Sequence, residues 1–138
     1  MLRRLASLVG AALLISFGVI AVIGRLGRDW EARVAVRGHS MAPNLLDGDW
    51  LLVNPDAYAR RAPRQGELVV ARDPRVGGGR VLVKRVAAAD GGSGTLTLAG
   101  DHPAHSENGS AMGNVPAASI LGRPWFRYWP LERLGPIS

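Results

Sequence analysis

Cysteine is missing from the 138 residues altogether, which rules out disulfides, thiolate zinc sites and a cysteine nucleophile. Lysine is nearly as scarce: Lys84 is the only one, so the net charge of +6 comes almost wholly from arginine. Repeats, low-complexity tracts and heptads are also lacking, and no periodicity after residue 30 predicts a helix longer than a few turns. A basic balance admits two classes of partner, nucleic acid and an anionic membrane surface. The arginines fall at scattered loop positions, among them Arg60, Arg61, Arg64, Arg72, Arg75 and Arg80, with no aromatic-interleaved stripe and no recognisable nucleic-acid motif. Nucleic acid is therefore not expected as a partner, and the charge reads as solubility and attraction to a membrane surface.

What the chain does have begins near its N-terminus. Leu5 to Gly24 carries no charge, and at 1.5 Å rise per residue roughly 20 residues cross a hydrocarbon core of about 30 Å. The apolar run is longer than the usual core of a cleaved signal peptide, and its exit, Val22-Ile23-Gly24-Arg25, is not a small-x-small cleavage site. An uncleaved transmembrane anchor is expected, with residues 1–28 as tip and anchor and 29–138 as one further domain. Arginines flank the span on both sides (Arg3 and Arg4; Arg25, Arg28 and Arg33), so charge leaves the topology open. Trp30 suits a membrane interface or the first core position of the domain equally well.

Beyond Gly24 the pattern is short apolar runs broken by Gly, Pro, Asn and Asp, which predicts a mainly β fold. Strands are expected at Arg33–Val36, Trp50–Val53, Glu67–Ala71, Arg80–Val86, Thr95–Ala99 and about Ile120–Tyr128. Asp47-Gly48-Asp49, Asn54-Pro55-Asp56, Gly77-Gly78-Gly79 and Asp90-Gly91-Gly92 supply the turn chemistry between them.

Two places in this framework carry chemistry. Ser40 stands between an apolar strand and a proline-containing turn, in Gly38-His39-Ser40-Met41-Ala42-Pro43; a lone serine there is a turn hydroxyl more often than a nucleophile. Lys84 interrupts the strand Val81-Leu82-Val83-Lys84-Arg85-Val86 and shares a face with Leu82 and Val86 by the period-two rule. Burial there lowers a lysine pKa, and only the neutral amine can accept a proton from a serine hydroxyl. A solvated or edge-protecting lysine fits the same periodicity.

The order and spacing of these segments resemble the type I signal peptidases. The family's serine-methionine-x-proline-threonine-leucine box appears as Ser40-Met41-Ala42-Pro43-Asn44-Leu45. Its glycine-aspartate strand box appears as Gly48-Asp49-Trp50-Leu51-Leu52-Val53, and a second strand as Gly66-Glu67-Leu68-Val69-Val70. The lysine box appears as Val83-Lys84-Arg85-Val86, and the last as Gly100-Asp101-His102-Pro103 with Ser106, Gly113 and Val115. The resemblance covers residues 34–123. It implies a signal-peptidase-like domain of coiled antiparallel sheets, with Ser40 as nucleophile and Lys84 as general base. Ser106 is expected to orient the amine, and Gly38, Met41, Pro43, Arg85, Gly100 and Asp101 to support the dyad. Gly38 stands where some members carry a serine that helps bind the oxyanion, which leaves the main-chain N–H of Ser40 as donor. Asn108-Gly109-Ser110 replaces the usual aspartate-serine-arginine, so that acid-arginine pair is not expected. The short interval from Lys84 to Gly100 implies a small member, and the closing Gly122-to-Pro130 stretch is similar to nickel-type superoxide dismutase maturation proteases.

The resemblance implies a serine endopeptidase without metal or cofactor that removes signal or pro-peptides from precursor polypeptides. It also implies a single-pass protein of the inner, or plasma, membrane whose domain faces outward from the cytoplasm, with membrane lipid as its other partner. Of the aromatics Trp125, Phe126, Tyr128 and Trp129, about half are expected in the core, since alternating residues of a strand point both ways. Three rival readings remain: a histidine-based protease or metal site using His39, His102 or His105; a self-cleaving cytosolic regulator, which would need a DNA-binding segment in place of the apolar N-terminus; and a non-catalytic anchored β-domain that binds a partner.

Overall fold

Eight strands form in the residues that the computed structural model describes, 32–77, 79–102 and 111–138. They are β1 (Arg33–Ala35), β2 (Trp50–Asn54), β3 (Leu68–Arg72), β4 (Val81–Asp90), β5 (Thr95–Ala99), β6 (Met112–Pro116), β7 (Ile120–Trp129) and β8 (Gly135–Pro136). Their order across the sheet is β1-β2-β7-β3-β4-β5-β6, with β8 on β7, and every pairing is antiparallel. The anchor expected at 5–24 and Trp30 lie outside the described residues. Among those residues no helix is long and apolar enough to cross a membrane.

The strand β3 explains the architecture. Its first four residues, Leu68-Val69-Val70-Ala71, are all buried, as a strand covered on both faces requires. Leu68 and Val70 turn to one face and pack with Val36, Met41, Leu45, Leu51, Val53 and Val83. Val69 and Ala71 turn to the other and pack with Val86, Leu96, Leu98 and Val115. Two cores therefore share one sheet, which can wrap around both only by curling. Register shifts between β2 and β7, β3 and β7, β4 and β5, and β5 and β6 provide the bends.

Strand β7 serves both halves. Its start pairs with β3 (Gly122 with Val70), and its remainder pairs with β2, from Arg123 opposite Asn54 to Trp129 opposite Trp50. At the changeover Gly122 lies against the Asn54 carbonyl and the Val53 side chain so closely that a Cβ would collide with both. Most predicted strands form within a few residues of their expected bounds; β4 and β7 run longer, and β6 and β8 are additional. Phe126 and Tyr128 are half-buried, whereas Trp125 and Trp129 are exposed.

Candidate active site

Ser40 sits in the loop between β1 and β2, and the residues on either side of it are tied down. Met41 and Leu45, each 1% exposed, plug the first core, while the N–H groups of Ala42 and Leu45 donate to the carbonyls of His39 and Met41. Pro43 follows Ala42 in this turn through a cis peptide bond. Gly38 opens it at φ +78°, a left-handed conformation that glycine adopts without strain, and its N–H donates to Asp47 Oδ1 at 2.7 Å. That group is thus engaged by a carboxylate. No acceptor for the Ser40 N–H occurs among the described residues.

Lys84 comes from β4, opposite Val69 in the register, so its side chain leaves the strand on the same face as Leu82 and Val86. Nζ of Lys84 stands 3.0 Å from Oγ of Ser40, across 44 positions of sequence, and both residues are partly buried. This is the juxtaposition expected of a nucleophile and its base.

A second network fixes the same two elements to each other. Arg85, next to Lys84, donates through Nε and Nη2 to the two oxygens of Asp101 at 2.7 and 2.9 Å, and through Nη1 to the Gly66 carbonyl at 2.8 Å. Asn44, four residues after Ser40, donates through Nδ2 to Asp101 Oδ2 at 2.8 Å. Burial pushes the Asp101 carboxyl up, but the hydrogen bonds from Arg85 and Asn44 outweigh it and hold the group below its ordinary value. Gly100 packs on the Ser40 backbone with no room for a Cβ, and the His102 N–H donates to the Ser40 carbonyl at 2.9 Å. Gly100 thus touches Ser40, Arg85 and Asp101 brace its loop against β4, and Gly38, Met41 and Pro43 belong to the loop itself, with Met41 in the first core. Ser106, His105 and the Asn108-Gly109-Ser110 segment lie outside the described residues.

Sequence reasoning did not single out the far side of this loop. Asp49 is 1% exposed; it accepts from the Leu46 N–H at 2.9 Å, Arg127 Nη1 at 3.2 Å and Arg133 Nη1 at 3.0 Å. The same two arginines also donate to the Asn44 carbonyl. Asp49 was visible only as part of a turn and a strand box, and its partners lie 78 and 84 positions away. The one local signal was an arginine, Arg127, set among the alternating aromatics of β7.

Beside Ser40 and Lys84 runs a cleft of about 220 Å³, lined by residues 35–41 and 80–84. Strand β4 pairs with β3 from Val81 onward, but its pairing with β5 begins only at Arg85. Among the described residues, the cleft edge of Val81–Lys84 therefore has no neighbouring strand.

The family model described as signal peptidase, peptidase S26, matches residues 2–93, a stretch that holds both Ser40 and Lys84. The chain is 27% identical over 122 residues to the mitochondrial ATP-independent inner membrane protease subunit 1b of Arabidopsis thaliana, an alignment covering 73% of this chain and 72% of that protein. It is 29% identical over 123 residues to the mitochondrial inner membrane protease subunit 1 of Xenopus tropicalis, covering 76% and 73% respectively. A curled antiparallel domain and a family match across most of the chain lead to one assignment: the chain belongs to the signal peptidase family, peptidase S26.

Proposed function

We propose that the protein is a serine endopeptidase in which Ser40 and Lys84 form the catalytic dyad. The observation that carries this reading is the 3.0 Å separation of Lys84 Nζ and Ser40 Oγ. With Lys84 neutral, the Ser40 hydroxyl donates its proton to Nζ as Oγ bonds to the carbonyl carbon of the scissile peptide. The N–H of Ser40 faces the developing oxyanion. Collapse of the tetrahedral species breaks the C–N bond, and the lysine ammonium returns the proton to the leaving amine. Water then attacks the acyl-enzyme ester, with Nζ taking its proton and Oγ recovering one. This is the serine-lysine version of the triad logic. Ser106 completes the arrangement by orienting the amine, as the family resemblance implies.

The substrate is an extended segment of a precursor polypeptide. The open edge at Val81–Lys84 suits main-chain pairing with such a segment, and the cleft walls admit small side chains near the bond. The inner-membrane names of the two relatives and the uncharged run at 5–24 support a single-pass inner-membrane, or plasma-membrane, protein, and the family resemblance implies that its domain lies outside the cytoplasm. Exposed Trp50, Trp125, Trp129, Leu131 and Leu134 suit contact with a membrane surface. Protease protection in intact cells tests the topology: a shielded C-terminus overturns it.

The decisive experiment is cleavage of a precursor panel in detergent by the wild type, Ser40→Ala and Lys84→Met. Each substitution is expected to reduce cleavage at least 1,000-fold in a protein that remains folded by circular dichroism. Cleavage of varied signal peptides identifies a general signal peptidase, and cleavage of a nickel-type superoxide dismutase precursor alone identifies a dedicated maturase. Cleavage that survives both substitutions overturns the dyad.

A further inference from the structure

Two charged networks flank the Ser40 loop, and Asn44 belongs to both. Its side chain donates to Asp101 Oδ2 at 2.8 Å, and Asp101 in turn holds Nε and Nη2 of Arg85, the neighbour of Lys84 on β4. Its main-chain carbonyl accepts from Arg127 Nη1 at 3.2 Å and Arg133 Nη2 at 3.3 Å, and the same guanidinium groups bind the buried Asp49. An ionised carboxylate only accepts hydrogen bonds, so Asp101 needs the amide nitrogen of Asn44 and not its oxygen. Four residues earlier, the Ser40 carbonyl accepts from the His102 N–H at 2.9 Å. The segment 100–102 therefore grips the loop at Ser40 and again at Asn44. One hydrogen bond lets a loop pivot about it, and a second one four residues away opposes that rotation.

We propose that Asn44 is a positioning residue: by joining the pair of Asp101 and Arg85 to the cluster of Asp49, Arg127 and Arg133, it keeps Ser40 Oγ within hydrogen-bond reach of Lys84 Nζ. This rests on the reading of Ser40 and Lys84 as nucleophile and base. Asn44 acts through Asp101 and Arg85 toward the lysine strand, and through the loop toward the serine. A donor to a charged acceptor is a stronger tie than one between neutral groups. Asn44 itself is exposed, so replacing it opens no cavity in either core, and its contribution lies in direction rather than burial.

The test compares the wild type with Asn44→Ala, which removes the donor, and Asn44→Asp, which keeps the shape but sets a second carboxylate against Asp101. Lys84 is the only lysine, so isotope-labelled lysine gives the NMR signal of one side chain in the full chain in detergent. In the wild type, Ser40→Ala is expected to move that signal, because Oγ stands 3.0 Å from Nζ. In the Asn44→Ala and Asn44→Asp backgrounds the same substitution is expected to move it at most about half as far. On a precursor that the wild type cuts, Asn44→Ala is expected to lower kcat about tenfold and Asn44→Asp more, each with KM within about twofold of the wild type. A residue that only fills space would tolerate Asn44→Asp, since aspartate has the same shape. An equal response of Lys84 to Ser40→Ala in all three backgrounds overturns the positioning role, whatever the cleavage assay gives, and so does a wild-type kcat in Asn44→Asp. A weakened response without cleavage by the wild type keeps the positioning role and removes the peptidase reading. If Ser40→Ala leaves the Lys84 signal unmoved in the wild type, the pair and its positioning residue fall together.

Discussion

Gly100 lacks a side chain for a reason that belongs to Ser40. A Cβ at that position would strike the Ser40 carbonyl and crowd its Cβ, so Gly100→Ala must push either the turn or the Ser40 side chain out of place. A displacement of about 1 Å at a reacting group costs on the order of 100-fold in rate. Gly100→Ala is expected to lose about that much in kcat, measured on any precursor that the wild type cuts. Asp101, beside it, has an acid-dependent role. Its folded pKa lies below the unfolded value, so its stabilising contribution is present above the ordinary carboxylate range near 3.8 and fades as pH falls through the folded value. Removing its charge with Asp101→Asn leaves Arg85 without its carboxylate partner and is expected to cost about 2 kcal/mol at neutral pH, by urea denaturation. At this scale the two residues that the fold brings within 3.0 Å, Ser40 and Lys84, were legible, because a serine box and a lone lysine in an apolar strand are patterns of adjacent residues. The brace from Asp49 to Arg127 and Arg133 was not, because nothing local couples positions some 80 residues apart.

Among the elements, the loop before β3 depends on one carboxylate. Glu67 accepts from Arg61 Nη1 and Nη2 at 2.9 and 2.7 Å and from the Arg64 N–H at 2.8 Å, with Arg123 3.6 Å away. The hydrogen bonds from Arg61 lower its pKa to about 2 from an ordinary 4.5. The folded value is the lower one, so this contribution is complete above pH 4.5 and is lost between 4.5 and about 2. Arg61 is 34% exposed, which screens the pair; Glu67→Gln is expected to cost about 1–2 kcal/mol at neutral pH. Thermal midpoints of wild type and variant should therefore converge as the pH is lowered through that window. Most strands were readable from their apolar runs and turn residues. The strand β6, Met112-Gly113-Asn114-Val115-Pro116, was not: glycine, asparagine and proline are poor strand formers, and Asn114 takes a positive φ of 56°. It forms because β5 offers an edge, with Val115 opposite Leu96 and fully buried. Pairing supplied by a neighbour has no signature in the paired segment itself.

For the whole molecule, the aromatics of β7 lie at the surface or half-buried beneath it, outside both cores. Trp125 and Trp129 are 50% and 51% exposed, so each still buries about half its surface, Trp125 against the Phe126 ring at 5.5 Å and Trp129 opposite Trp50; replacing both with Gln is expected to cost about 1–3 kcal/mol in urea denaturation and leave the protein folded. If this face meets the bilayer, the double variant cuts a membrane-embedded precursor more slowly and a soluble peptide at the wild-type rate. Comparing the two substrates in vesicles checks this. The strand β7 has a different consequence. It is the only strand among the described residues that pairs with both β2 and β3, and it follows Ser40, Lys84 and the elements that carry them in the chain. In the chain, the Ser40 loop and the Lys84 strand both precede the strand that joins β2 to β3. A chain that stops before residue 120 lacks the strand that links β2 to β3 and is expected to leave the proposed pair of Ser40 and Lys84 without that brace.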